Sequence, residues 1–297
     1  MPQNPFDQAS RYVAKLDPPA LLAWLFDGAD AAEFRGWLDA RTLPFPGDPE
    51  RVCDTVAWLR ERGAAVDWAV PIEFNLEPDA AMFGRLLVYL GHLWLEQRRA
   101  ENQRERYAVG AVVVNLTGRG QAGRDLQLGA MQTRLQVIER NLAHEDAATL
   151  LDGIAAGRWS RALLPWAPLM RGGSDSAILD RWQALANAEP DASRRADYAG
   201  LAVVLAEAAG RRAVWKEALK EWNMVQSQQV LEWMAEGELG AKRQMLLRLL
   251  NKRFPPGAPA EVTNAIQASK DPEQISRWFD AAVDAASLAE FRKAMSQ

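Results

Sequence analysis

The stretch from residue 66 to 75 constrains the fold more than any other. Val66, Trp68, Val70, Ile72 and Phe74 alternate there with Asp67, Ala69, Pro71, Glu73 and Asn75. A period of two reads as a half-buried strand, with Glu73 and Asn75 on the face opposite Ile72 and Phe74. Ahead of it, Arg51 to Arg60 is a shorter run around Asp54, flanked by Val52 and Val56. Glu61-Arg62-Gly63-Ala64 between the runs can turn the chain, so the two predict an antiparallel hairpin. At ~3.3 Å per residue, Asp54 and Glu73 then come out nearly opposite each other. Two carboxylates converging on a strand pair, with an amide two residues past the second, suit a hard divalent cation.

The order D…E-x-N resembles the PD-(D/E)XK nuclease superfamily. It is more closely similar to the recombination-promoting nuclease branch, also described as PD-(D/E)XK family transposases, in which a Gln follows the acid as (D/E)-x-Q. Asn4-Pro5-Phe6-Asp7, the helix carrying Arg85 and Tyr89, and the C-terminal segment extend the resemblance over nearly the whole chain. The resemblance implies a Mg²⁺-dependent DNA endonuclease that hydrolyses phosphodiester bonds in recombination or mobile elements. Asp54 and Glu73 would be the metal ligands, with Mn²⁺ able to substitute, and Asn75 would complete the catalytic set. Arg85 and Tyr89 would contact the substrate phosphate. In such a site the ion polarises a phosphoryl oxygen and lowers the pKa of a bound water. Asn75 stands where relatives have Lys or Gln. An amide cannot carry a proton away, but it can hold a water or donate to a phosphate oxygen. Compared with Gln it falls short by one C–C bond, ~1.5 Å.

Each of these residues has a plainer reading. Asp54 and Glu73 would be surface carboxylates, Asn75 a strand-end residue, and Arg85 and Tyr89 members of a solvated helix stripe. For the whole chain the alternative is a catalytically degenerate nuclease-fold module that binds DNA or a protein partner. Asn75 and the acidic balance favour the module; intact Asp54 and Glu73 favour the enzyme.

Composition narrows the classes. Over 297 residues, 39 acids against 35 bases give a net charge of −4, which argues against a dedicated nucleic-acid coat but not against a local basic groove. The single cysteine, Cys53, excludes an intrachain disulfide and fits a reducing cytoplasm, the expected location. Met-Pro-Gln-Asn lacks a basic-then-apolar leader, and no apolar stretch approaches ~20 residues, so neither a signal peptide nor a membrane span is expected. Twelve Trp are expected chiefly as core anchors. The expected partners are DNA and, as an option, a second copy in a homodimer.

Read in order, residues 5–42 are expected to be helical, with a stop at Asp17-Pro18-Pro19, and Leu43 to Pro49 to be a loop. Pro78-Asp79 should open a helix to about Gln97, burying Phe83, Leu87, Leu90 and Trp94, with Arg85, Tyr89, His92 and Glu96 on a second stripe. Tyr107 to Asn115 reads as a central strand, and Arg134–Arg140 as another. Gly118-Arg-Gly120-Gln-Ala-Gly123 matches G-x-G-x-x-G, but no amphipathic helix follows, so a loop is expected. From Ala143 onward the chain reads as helical, with segments at 145–157, 176–188, 193–209 and 213–236. Asp271-Pro272 with Gln274, and Ser287 with Glu290, look like helix N-termini. Lys242, Arg243, Arg248, Lys252 and Arg253 form a basic cluster that reads as a solvated face or a phosphate-backbone contact.

The expectation is an α+β (α/β) fold. A small mixed sheet with a PD-(D/E)XK nuclease-like core spans 1–142, a helical region 143–240, and a small C-terminal helical domain 241–297.

Overall fold

The computed structural model describes residues 5–28, 32–38, 44–45, 48–53, 55–64, 66–96, 106–222, 228–255 and 257–295. Helix α1 (Pro5–Leu16) buries Phe6, Ala9, Val13 and Ala14 and stops where Pro18 follows Asp17. Asp17 then caps α2 (Pro18–Leu25) by accepting from the Ala20 amide at 3.2 Å. Beyond α2 the chain departs from the expected helix. Ala32–Leu38 is a strand, β1, and pairs antiparallel with β4. Its register shifts between Phe34 and Gly36, where Gly36 adopts φ 154°. The inserted residue changes an alternation of two into the 34–37–38 spacing that imitates a helix. Pro44–Phe45 and Asp48–Val52 pair as β2 and β3 where the sequence suggested a loop.

The expected hairpin is present. Strands β4 (Thr55–Glu61) and β5 (Asp67–Asn75) are antiparallel, in register from Thr55↔Ile72 to Arg60↔Asp67, with Gly63 at φ 77° in the turn. After α3 (Met82–Glu96) come β6 (Ala108–Val109) and β7 (Val112–Asn115). An exposed hairpin of β8 (Arg124–Leu128) and β9 (Met131–Leu135) precedes β10 (Ile138–Asn141). The single strand expected at 134–140 is thus divided, because the backbone changes partner: β9 pairs with β8, and β10 with β7. The main sheet runs β1-β4-β5-β7-β10, with β6 beside β5. Pairing is antiparallel from β1 to β5 and parallel from β5 to β10.

Strand β5 is central and buried on both faces, not half-buried as its alternation suggested. One face, carrying Ala69, packs with Cys53, Val56 and Val113 under Met82, Leu86, Tyr89 and Leu93 of α3. On the other, Phe74 stacks on Trp166 at 5.9 Å between centroids. Trp166 lies in a 3₁₀ segment, Arg161–Leu169, which is followed by α5 (Ser176–Asn187), α6 (Ala192–Ala208) and α7 (Arg212–Ala218); α4 (Ala147–Ala155) precedes it. The tryptophans anchor this region as their number suggested. Trp182 Nε1 donates to the Leu164 carbonyl and Trp215 Nε1 to that of Gly173, both at 2.8 Å, and the two rings meet edge to face.

The chain divides into two compact units, Met1–Val230 and Leu231–Gln297. In place of the single helix expected at 213–236, α7 ends at Ala218 and α8 begins at Gln228 and runs to Arg253. The second unit has its own core of Leu239, Leu246, Leu250, Val262, Ile266, Ile275 and Phe291, contributed by α8, α9 (Ala260–Ala268), α10 (Pro272–Asp284) and α11 (Leu288–Met295). Its caps follow the sequence closely. Asp271 accepts from Glu273 N, and Ser287 Oγ from Glu290 N. The second half of each box goes elsewhere: Gln274 Oε1 accepts from Ser269 Oγ, and Glu290 Oε2 from Ala286 N. The architecture is therefore mixed α and β, with a mixed sheet in the N-terminal half and helices in the C-terminal half. Among the described residues no helix is long and apolar enough to cross a membrane.

Candidate functional site

Helix α3 decides how the site is built. Of the expected buried stripe Leu90 alone is buried: Phe83 is half-buried, Leu87 and Trp94 are exposed, and Met82, Arg85, Leu86, Tyr89 and Leu93 turn inward with Leu90. Of the stripe that looked polar, Arg85 and Tyr89 are buried and His92 is half-buried, over a sheet that carries Glu73. Glu73 is 1% exposed, and its Oε2 accepts from Arg85 Nη2 at 2.6 Å. Arg85 Nη1 reaches Asp79 Oδ2 at 2.9 Å, so one guanidinium bridges two carboxylates. Nη2 also donates to the Tyr89 hydroxyl at 3.3 Å. The spacing of four brings Arg85 and Tyr89 onto one helix face.

The electrostatics follow from burial. Desolvation alone would lower the Arg85 pKa, but the Glu73 charge and the bonds to Tyr89 and Asp79 outweigh it and hold the guanidinium above its ordinary value. The Tyr89 phenol is pushed up to about 12, first by burial and then by the Glu73 charge, with Arg85 opposing both. Tyr89 therefore keeps its proton at neutral pH.

Two residues beyond Glu73, Asn75 begins a second polar layer. The parallel register aligns Asn75 with Asn115 and Asn115 with Asn141 across three strands. Asn75 Nδ2 donates to Asn115 Oδ1 at 3.3 Å, and Asn115 Nδ2 donates to Asn141 Oδ1 and Glu139 Oε1, both at 2.9 Å. The glycine-rich loop closes over this layer. Gly120 N donates to Asn141 Oδ1 at 2.7 Å and Ala122 N to Glu139 Oε2 at 2.9 Å. A Cβ on Gly120 would lie 2.4 Å from Asn115 Nδ2. The G-x-G-x-x-G match thus serves a close approach of loop to sheet, and strand β8 follows it instead of a helix.

Of the sequence candidates, Glu73, Arg85 and Tyr89 come together, with Asn75 on the same face of β5. Asp54 lies outside the described residues. Asp79, Asn115, Glu139, Asn141 and Gly120 were not singled out as site residues. Asn115 and its partners are 24 to 40 residues apart in sequence, so no local spacing marks them. The basic cluster of α8 has a structural use at two of its positions. Arg243 Nε donates to the Ser269 carbonyl at 3.1 Å, at the end of α9, and Arg253 Nη1 donates to the Ala282 carbonyl at 2.6 Å, near the end of α10. Cys53 is a packed core residue, 1% exposed.

A hard divalent cation asks for oxygen donors, and the Glu73 carboxylate is of the right kind. Among the described residues no three His, Cys, Asp or Glu side chains gather into one cluster. No family model, curated protein or solved structure matches the chain.

Proposed function

We propose that the chain is a divalent-metal-dependent endonuclease that hydrolyses phosphodiester bonds in DNA, the substrate class implied by its resemblance to recombination-promoting nucleases. The observation that carries this reading is the Arg85 guanidinium seated on the carboxylate of Glu73, two residues before Asn75 on the same strand face, with the Tyr89 hydroxyl on the same guanidinium nitrogen. Glu73 and Asp54 would hold Mg²⁺ or Mn²⁺, which when bound supplies Lewis acidity and a water of lowered pKa. The other residues position. Arg85 donates to the acid, and the protonated Tyr89 hydroxyl, which accepts from Arg85, has a hydrogen to give. Asn75, steadied by Asn115, presents an amide suited to orienting a water or a phosphate oxygen.

One observation favours the degenerate binding module instead: the Glu73 carboxylate already has a cation, Arg85, at 2.6 Å. Cleavage decides between the two. Purified protein with Mg²⁺ or Mn²⁺ is expected to nick supercoiled plasmid, and Asp54→Ala and Glu73→Gln to abolish nicking. Asn75→Ala is expected to slow it by about 30- to 1000-fold, the value of one oriented polar group at developing charge. Absence of nicking by the parent protein with either ion would favour the module.

A further inference from the structure

Arg85 is placed differently from a residue that waits for phosphate. It is buried, 8% exposed, and its two terminal nitrogens are engaged with Glu73 and Asp79 before any substrate arrives. Glu73 sits deeper, at 1% exposure, where a carboxylate needs positive charge or hydrogen-bond donors close by to stay ionised. Asp79 differs: its side chain is 23% exposed and stands at the entry to α3, where its Oδ1 accepts from Ala81 N at 2.8 Å. The guanidinium therefore has two anionic seats, one at the proposed metal ligand and one nearer solvent. A planar fork with several donors can lose one partner and retain the other. A compact divalent ion at Glu73 would have to share that carboxylate with Arg85 or displace it towards Asp79.

We propose that Arg85 is a resident cation that regulates the metal site, occupying the Glu73 carboxylate in the ion-free protein and competing with the divalent ion for it. This inference rests on the metal-binding reading of Glu73 given above. In the absence of ion Arg85 keeps the acid in place and compensated; in its presence the same charge lowers ion affinity. The site then fills only when free ion is abundant. Arg85 is here a positioning residue, acting through Glu73.

The test is calorimetric titration of MnCl₂ into the full chain, its Arg85→Gln variant, and the Arg85→Gln/Glu73→Gln pair, with Arg181→Gln as a surface-charge control. Arg85→Gln is expected to bind Mn²⁺ at least tenfold more tightly than the parent, the double variant to lose that binding, and the control to match the parent. A purely structural arginine would lower stability without tightening ion binding. Should Arg85→Gln be unfolded without ion, recovery of its thermal transition on adding MnCl₂ supports the proposal, and failure to recover overturns it. Equal or weaker Mn²⁺ affinity in a folded Arg85→Gln overturns the proposal and leaves the metal reading standing. Absence of Mn²⁺ binding in both parent and folded Arg85→Gln overturns the metal reading and the inference with it.

Discussion

Glu73 and Arg85 are worth more together than either is alone. Removing Arg85 leaves Glu73 buried without its countercharge, and such losses run to about 3–5 kcal/mol, whereas Arg85 without Glu73 keeps Asp79 at 2.9 Å. Arg85→Ala should lower stability to urea on that scale and Glu73→Ala by less, while the double change Glu73→Ala/Arg85→Ala should cost clearly less than the two single changes summed. Urea unfolding of the four proteins measures the coupling. Tyr89 sets a pH dependence at the other end of the scale. Folded, it holds its proton to about 12; unfolded, it titrates near 10. The unfolded state therefore releases the proton first, so the stabilisation is complete below pH 10 and is lost as pH rises towards 12. Tyr12 is raised in the same way, also to about 12, by burial and Asp197. Tyr89→Phe should thus flatten part, not all, of the loss of stability between pH 10 and 12, by up to about 2–3 kcal/mol. A variant whose alkaline limb matches the parent's would show that Tyr89 titrates alike in both states.

At the scale of elements, the consequential feature is the loop between β7 and β8. Its amides at Gly120 and Ala122 satisfy Asn141 and Glu139, and these in turn fix Asn115 and Asn75. Gly120 is needed for lack of a side chain, since a methyl group there would meet Asn115 Nδ2 at 2.4 Å and Glu139 Oε1 at 2.5 Å. Gly120→Ala should therefore cost about 1–3 kcal/mol, as over-filling of a packed site does. Gly129→Ala, at the open tip of the β8–β9 hairpin, meets nothing within 4 Å and should cost only the strain of its φ of 58°. Thermal unfolding of the two variants separates crowding from backbone strain. The glycine pattern was visible in the sequence, but its purpose was not, because the atoms it approaches belong to two separate strands, β7 before it and β10 after it. Helix α3 makes the same point. Its repeat of three and four was legible, yet two stripes competed for the buried side. Arg85 and Tyr89 took the buried side together with Leu90, because Glu73 offered Arg85 a partner, and Met82, Leu86 and Leu93 completed the apolar contact.

For the whole molecule, a core confined to the second compact unit implies that it folds as a unit of its own. Leu239 belongs to the core of the second, so a cut after residue 240 would divide α8 and remove a core side chain. A cut between residues 222 and 228 spares both. The fragment 228–297 should show helical circular dichroism and a cooperative thermal transition, and 1–222 should keep the transition of the sheet unit. A non-cooperative melt of 228–297 would count against its independence; at this size a single core is marginal. The β4–β5 hairpin, the caps at Asp271 and Ser287, and the placing of Glu73 with Asn75 on one face were legible along the chain, because each depends on neighbours a few residues apart. Long-range packing settled that β5 is buried on both sides, that β1 is a bulged strand, and that Arg85 is Glu73's partner. It also decided that Asn75 is held through Asn115 to Asn141. Those outcomes depend on which distant strands and helices share a surface, and periodicity along the chain carries no record of that choice.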